Sequence, residues 1–133
     1  MLTSLRRLAL LAALTASAAC ASRGDVPEDA VGAPNPIVYF DNQSLFQANV
    51  YAITSSGSQQ RIGTVQSGRR EVLRVPASAM GGDRNVAFAA RLLARGGRSP
   101  TSGRIGLQPG DVIEVVLSSD ARTLTVLPVA RRD

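Results

Sequence analysis

The chain has 133 residues and a formal net charge of +5, from 15 basic and 10 acidic side chains. Every basic residue is Arg, and the chain contains no His, no Trp and a single Cys. These absences exclude the common zinc sites, Ser-His and Cys-His nucleophile pairs, Schiff-base chemistry and the P-loop lysine. We therefore expect no catalytic residue, no metal site and no cofactor, and a protein that is not an enzyme.

The first 19 residues follow the order of a secretory signal peptide. Arg6 and Arg7 form the positive end, an apolar run over residues 8–14 follows, and small residues close the segment. The apolar run is shorter than the about 20 residues that a membrane-spanning helix needs. The pattern predicts an exported protein, with residues 1–19 removed as a signal helix.

Cys20 follows the small residues Ala18 and Ala19 directly. This ending resembles the lipobox of bacterial lipoproteins. The resemblance implies that the Cys20 thiol takes a diacylglycerol, that the chain is cut before Cys20, and that the new amino terminus is acylated. In that family an Asp after the cysteine retains the protein in the inner membrane, and Ala21 stands there instead. The resemblance therefore implies a lipid-anchored protein of the cell envelope, at the outer membrane if the cell has two membranes.

Ordinary signal cleavage is the alternative. Ser17 stands where the lipobox usually has Leu, and both Ala16-Ser17-Ala18 and Ala19-Cys20-Ala21 match the small-x-small rule for cleavage. Cleavage after the first triplet would leave a free thiol, and cleavage after the second would remove Cys20. Either would produce a soluble exported protein of the periplasm or the cell exterior.

Composition divides the mature chain into a tether and one domain. Removing residues 1–19 leaves 114 residues, which is the length of a single domain. Residues 20–36 combine Cys20 with several Gly and Pro residues and acidic side chains, as a solvated linker does. We predict a lipidated, flexible tether over residues 20–36 and a folded domain over residues 37–133.

Short apolar and β-branched segments separated by turn signals follow from Ile37 onward. They predict an all-β fold, a seven- to eight-stranded sandwich of the immunoglobulin-like or prealbumin-like kind. The predicted strands are residues 37–42, 46–54, 60–66, 69–75, 84–95, 104–107, 112–117 and 123–127. Segment 84–95 is rich in Ala, Leu and Arg, which favour helix, but we assign it to a strand because its apolar residues alternate.

Three connections have recognisable signals. Ser67-Gly68 predicts a hairpin between the third and fourth strands. Residues 77–80 predict one helical turn, and Pro109-Gly110 predicts a type II turn with positive φ at Gly110. In the third strand, alternation places Ile62 and Thr64 on one face and Val65 on the other. The succession of strands, with Pro109-Gly110-Asp111 before a late apolar strand, is similar to that of small bacterial lipoproteins of unknown role.

Asp83, Asp111 and Asp120 are the loop carboxylates that a metal or acid-base site would use. Each lies next to Gly or Ser residues in a predicted turn, where Asp bonds its own backbone. No D-x-D spacing concentrates charge as a calcium loop does. We assign the three carboxylates to turn formation.

Arg91, Arg95, Arg98 and Arg104 bracket the Gly-rich loop between the fifth and sixth strands. If the strands pair across this loop, the four side chains form a candidate polyanion contact. The alternative is a solvated basic surface with no ligand. Nucleic acid is not expected as a partner, because no aromatic residues interleave with these arginines.

Three functions follow from these patterns. The first is a membrane-anchored envelope lipoprotein acting as a non-catalytic binding or scaffolding module, with an envelope protein partner at a sheet edge. The alternative is a soluble exported β-sandwich protein that binds anionic lipid or glycan through its Arg-rich loops. The third, an enzyme using only carboxylates and arginines, has no motif to support it.

Overall fold

The computed structural model describes residues 34–129. The predicted signal peptide, Cys20, most of the tether and the C-terminal residues from 130 onward lie outside these residues. The described part folds into eight strands, which confirms the all-β prediction. The strands are β1 (Ile37–Asn42), β2 (Ala48–Thr54), β3 (Gln59–Val65), β4 (Arg70–Arg74), β5 (Asn85–Leu92), β6 (Ile105–Gly106), β7 (Val112–Leu117) and β8 (Leu124–Pro128).

The strands form two four-stranded sheets, in the orders β4-β1-β7-β8 and β3-β2-β5-β6. β1 and β7 are parallel, and the other pairs are antiparallel. Buried and half-buried residues alternate along β1, β2 and β7, as period-two patterning requires when one face of each strand packs inward. The core lies between the sheets, and Phe40 and Phe88 are its largest fully buried side chains.

Segment 84–95, which was ambiguous in sequence, contains strand β5. It pairs with β2 over seven residues, from Val86 opposite Thr54 to Leu92 opposite Ala48. Val86, Phe88 and Ala90 belong to the core as the alternation predicted, although Ala87 and Ala89 between them are also buried. Tertiary pairing therefore outweighs the helix propensity of the Ala and Leu residues in this segment. The predicted helical turn is also confirmed, as a 3₁₀ turn over Ala77–Ala79.

The predicted β3–β4 hairpin is wrong. The tight turn exists, with Gly68 at φ +66° and the Arg69 amide donating to the Gln66 carbonyl at 3.2 Å. However, β3 pairs with β2 and β4 pairs with β1, so the chain crosses from one sheet to the other at this turn. The crossing lets Val65 and Leu73 enter the core from opposite sheets.

Thr64 and Val65 lie on opposite faces of β3 as predicted, but the predicted face of Ile62 is wrong because the strand contains a bulge. Gly63 lies opposite Val50 and Arg61 lies opposite Tyr51, so Ile62 is an extra residue without a partner in β2. The bulge lets Ile62 pack against the same core as Val65. At Gly63, a Cβ would collide with the Leu73 side chain, so glycine here leaves room for the facing sheet.

The three loop aspartates bond their own turns, as predicted. Asp111 accepts a hydrogen bond at Oδ2 from the Gln108 amide at 2.8 Å, across a turn in which Gly110 has φ +81°. Asp83 accepts from the Asn85 amide at 3.2 Å, and Asp120 accepts from the Arg122 amide at 3.1 Å. Within residues 34–129, no three His, Cys, Asp or Glu side chains come together in a metal-binding group.

The lowered pKa of the Asp120 carboxyl predicts that the stability of the fold depends on pH. Two hydrogen bonds hold the pKa of Asp120 below its ordinary value of 3.8. The bond from the Ser118 hydroxyl has the larger effect, and the bond from the Arg122 amide has the next largest. A carboxyl whose pKa is lower in the folded state stabilises the fold above its unfolded-state pKa, and this contribution is lost as pH falls through the lower folded-state pKa. We expect Asp120→Asn to destabilise the protein at pH 6 and to make less difference below pH 3.

Urea unfolding of both chains across this pH range measures the effect. Ser118→Ala is the control, because it removes the largest cause of the shift while keeping the carboxyl, and it should reduce the pH dependence in part. An equal difference between the wild type and Asp120→Asn at every pH would contradict the assignment.

The strands give the sandwich two distinct ends. The entry end, where residue 34 joins the domain, consists of residues 34–36, 55–58, 75–84 and 107–111. The arginine end consists of the loops at residues 43–47, 66–69, 93–99 and 118–123. β5 runs from the entry end to the arginine end, so eight residues separate them, or about 25 Å at the usual rise per residue. No helix within residues 34–129 is long and apolar enough to cross a membrane.

Candidate anion-binding site

Charge is distributed unequally between the two ends of the sandwich. The four loops of the arginine end contain four arginines and one aspartate, whereas the segments of the entry end contain one arginine and two aspartates. Arg91, near the end of β5, adds a further positive charge next to the arginine end. The loops of the arginine end therefore favour anion binding more than the segments of the entry end do.

Arg91 is held across the outer face of its sheet. Its strand position pairs with Asn49, and its guanidinium lies over the Tyr51 ring, 4.5 Å from the ring centroid. Its Nη2 atom also donates to Gln59 Oε1 at 2.9 Å. A cation stacked on an aromatic face and hydrogen-bonded on one edge keeps its charge and its other N–H groups for a ligand.

Arg95 is held in a comparable way by different elements. Its guanidinium carbon lies 5.6 Å from the centroid of the Phe46 ring, and its Nη1 atom donates to the backbone carbonyl of Asp120 at 2.9 Å. The loop that carries it is fixed at its start, because the Leu93 amide donates to the Gln47 carbonyl at 2.8 Å. Three loops of the arginine end therefore meet at Arg95.

Arg98 lies further along the same loop. Ala94 has φ +63° and Gly97 has φ +114°, so the chain reverses sharply between β5 and Ser99. Among residues 34–129, Arg98 has neither a hydrogen-bond nor an ion-pair partner. Its side chain is exposed, and its full set of donors is therefore free to bind an anion.

These three arginines line one concave pocket with a volume of about 230 Å³. We call it the arginine pocket, and its other walls are Leu92, Gly96, Gly97 and Ser99. The structure thus brings together three of the four arginines that the sequence suggested, and separates Arg104 from them. Arg104 precedes β6, whose Ile105 lies opposite Val86, so it sits near Ala87, roughly 13 Å along β5 from Arg91.

The arginine pocket contains no ion pair among the residues that the structure describes. Within residues 34–129, none of its three arginines forms an ion pair, whereas Arg70 on the outer face of the other sheet pairs with Glu114 at 3.2 Å. Asp120 lies in a neighbouring loop. Its carboxylate is bonded to Ser118 and to the Arg122 amide, and it also attracts the Arg95 guanidinium electrostatically. Unpaired guanidinium groups with planar donor pairs suit phosphate and carboxylate groups.

Tyr51 and Phe46, which support Arg91 and Arg95, are not among the site residues that the sequence predicts. Tyr51 had a detectable signal, since it alternates with the buried Val50 and Ala52 and therefore faces outward on β2. Phe46 had none, because its contact with Arg95 depends on how two loops meet.

No protein-family model matches the chain, and no curated protein matches it.

Proposed function

We propose that this chain is an exported envelope protein anchored by a lipid at Cys20, and that its β-sandwich is a non-catalytic binding module. The ligand we assign to it is an anionic group on a lipid or glycan, bound in the arginine pocket. The signal-peptide and lipobox pattern supports the location. The absence of His and Lys from the sequence supports a binding role without chemistry.

The observation that carries this proposal is that Arg91, Arg95 and Arg98 line one pocket and that none of them forms an ion pair with a described carboxylate. Arginines that serve only solubility are usually spread over a surface or paired with acids. Here two of them are held by aromatic rings and backbone or amide oxygens. Because these two side chains are already held in place, binding a ligand costs less side-chain entropy.

The position of the tether also supports a binding role. Residue 34 enters at one end of the sandwich, where the Gly110 amide donates to the Pro34 carbonyl at 2.8 Å. The arginine pocket lies at the other end, about 25 Å away along the strands. An anchor at Cys20 would therefore leave the pocket accessible to a ligand, including the headgroup of a lipid that the domain reaches by turning on its tether.

Binding of two anionic probes tests the proposal, namely vesicles containing phosphatidylglycerol and a soluble phosphorylated oligosaccharide. Arg98→Ser should lower the affinity for the bound probe roughly ten-fold, the usual loss for one hydrogen bond to a charged group. Binding should also weaken with added salt, because the pocket is open to solvent. Equilibrium titration at low and physiological ionic strength measures both effects.

Arg104→Ser is the matched control, because it removes the same charge from outside the pocket. It should change the affinity by less than roughly two-fold, and neither variant should alter thermal stability, since both side chains are exposed. No binding of either probe would overturn the proposal. Equal losses in the two variants would also overturn it, because the net charge would then matter instead of the pocket.

A protein partner at a sheet edge is the second candidate, and one contrast between edge strands supports it. β4 carries Arg70, Glu71 and Arg74, charges that discourage pairing with another chain. β8, at the other edge of the same sheet, contains no charged residue and leaves Leu127 45 % exposed. A scaffolding partner would add its strand along β8.

A further inference from the structure

Five large apolar side chains in the described domain are exposed, and two of them lie at the arginine end. Leu45 is 85 % exposed in the loop before β2, and Leu93 is 56 % exposed in the first position after β5. Their loops touch, because the Leu93 amide donates to the Gln47 carbonyl. A single exposed leucine needs no explanation, but two on adjoining loops beside three unpaired arginines form a mixed apolar and basic surface.

The outward position of Leu45 is imposed by its neighbours. Ser44 is buried, and its amide and hydroxyl both donate to Asn42 Oδ1, at 3.1 and 2.7 Å. The Phe46 amide donates back to the Ser44 hydroxyl at 3.2 Å, and the Phe46 ring lies under Arg95. The residues on both sides of Leu45 are thus fixed, and the loop can direct Leu45 only towards solvent.

We propose that the arginine end docks on an anionic lipid surface, with Leu45 and Leu93 inserted at the headgroup boundary and the arginine pocket around a lipid phosphate. This inference rests on the proposed function and selects the lipid as the source of the anion. Two interactions bind a peripheral protein to a bilayer. Apolar side chains enter the headgroup boundary, and basic side chains contact the anionic headgroups. A soluble glycan would use the arginines but would leave both leucines in water.

The absence of Trp from the chain allows a clean test. Leu45→Trp and Leu93→Trp each place one fluorophore at the proposed insertion points. Val72→Trp is the matched control, since Val72 is also 56 % exposed but lies on edge strand β4, on the outer face of the other sheet. The mature chain with Cys20→Ser is used throughout, so that no acyl chain of its own enters the vesicles.

With phosphatidylglycerol vesicles, we expect Trp emission at positions 45 and 93 to shift to shorter wavelength, and iodide quenching to fall roughly two-fold or more. Trp at position 72 should show neither change, and vesicles of phosphatidylcholine alone should produce no shift at any position. Leu45→Ser should weaken vesicle binding roughly ten-fold, the effect of returning one leucine side chain to water. It should leave binding of the soluble phosphorylated oligosaccharide unchanged.

Two results would overturn the inference and leave the proposed function standing. One is vesicle binding that depends on Arg98 while both Trp residues stay in water. The other is binding of the soluble phosphorylated oligosaccharide alone. Failure to bind either probe would overturn the inference together with the proposed function. An equal emission shift for Trp at position 72 would also overturn the inference, because it would show that no particular end of the domain meets the membrane.

Discussion

Asn42→Ala should lower the free energy of unfolding by about 3 kcal/mol. The Asn42 side chain is fully buried at the end of β1. Its Nδ2 atom donates to the carbonyls of Phe46 at 2.7 Å, Val65 at 3.1 Å and Gln66 at 3.2 Å. Its Oδ1 atom accepts from the amide and hydroxyl of Ser44. Alanine would leave the buried Ser44 amide without this acceptor and the Val65 carbonyl without this donor. The Gln66 carbonyl would keep its bond from the Arg69 amide, and the Phe46 carbonyl its bond from the Ser44 hydroxyl.

The size of this effect follows from the difference between losing a hydrogen bond and burying an unsatisfied group. A hydrogen bond that water can replace contributes about 1 kcal/mol, whereas each buried donor or acceptor left without a partner costs about 1–3 kcal/mol. Asn42 serves both β1 and the end of β3, which belong to different sheets. The substitution should therefore loosen the contact between the sheets at the arginine end.

Asn49→Ala is the matched control. Asn49 also accepts a side-chain hydrogen bond, from Thr64 at 2.7 Å, but water can reach that pair. Its loss should change the free energy of unfolding by about 0.5 kcal/mol or less. Urea unfolding followed by far-ultraviolet circular dichroism measures both variants. A loss below about 1 kcal/mol for Asn42→Ala would contradict the assigned network. The Asn42 side chain also holds the loop that carries Leu45. Vesicle binding by Asn42→Ala should therefore weaken along with its stability.

Cys20→Ser should abolish the lipid-anchored attachment to the membrane, so that only the weaker, salt-dependent docking of the arginine end remains. The proposed anchor needs a thiol to form the thioether with the diacylglycerol, and the serine hydroxyl is a much weaker nucleophile. Each buried methylene contributes about 0.8 kcal/mol, so the loss of several acyl chains removes the stable anchor and leaves only reversible binding through the arginine end. The intact mass of protein from its native membranes should correspond to residues 20–133 plus acyl groups, and Cys20→Ser should show neither the acyl mass nor partition into detergent.

Ala21→Asp is the control for this experiment. It changes the residue beside the cysteine without removing the thiol, so the acyl mass should persist. If the cell has two membranes, the sorting behaviour of the lipoproteins that the sequence resembles predicts that this variant is retained in the inner membrane. A wild-type mass without lipid, with cleavage at another position, would refute anchoring and support the soluble exported alternative. That result would leave the evidence for the arginine pocket unchanged, because this evidence comes from residues 34–129.

Local patterns in the sequence were sufficient for the fold class and for most strands. β1 and β7 have the predicted bounds, because alternation with turn residues at both ends depends only on near neighbours. The positive φ of Gly110 and the turn roles of the aspartates are equally local, since each involves bonds across two or three residues. Short-range steric and hydrogen-bonding rules act within a few residues, and the sequence displays them directly.

Other features were decided only by tertiary structure. Whether β3 and β4 pair with each other depends on which sheet each strand joins, and the bulge at Ile62 depends on its register with β2. The sequence placed four arginines around one loop, but only strand pairing separates Arg104 from the pocket and brings Phe46 beneath Arg95. These contacts join residues tens of positions apart. Composition and periodicity carry no information about such pairs, because what brings them together is the burial of a shared core.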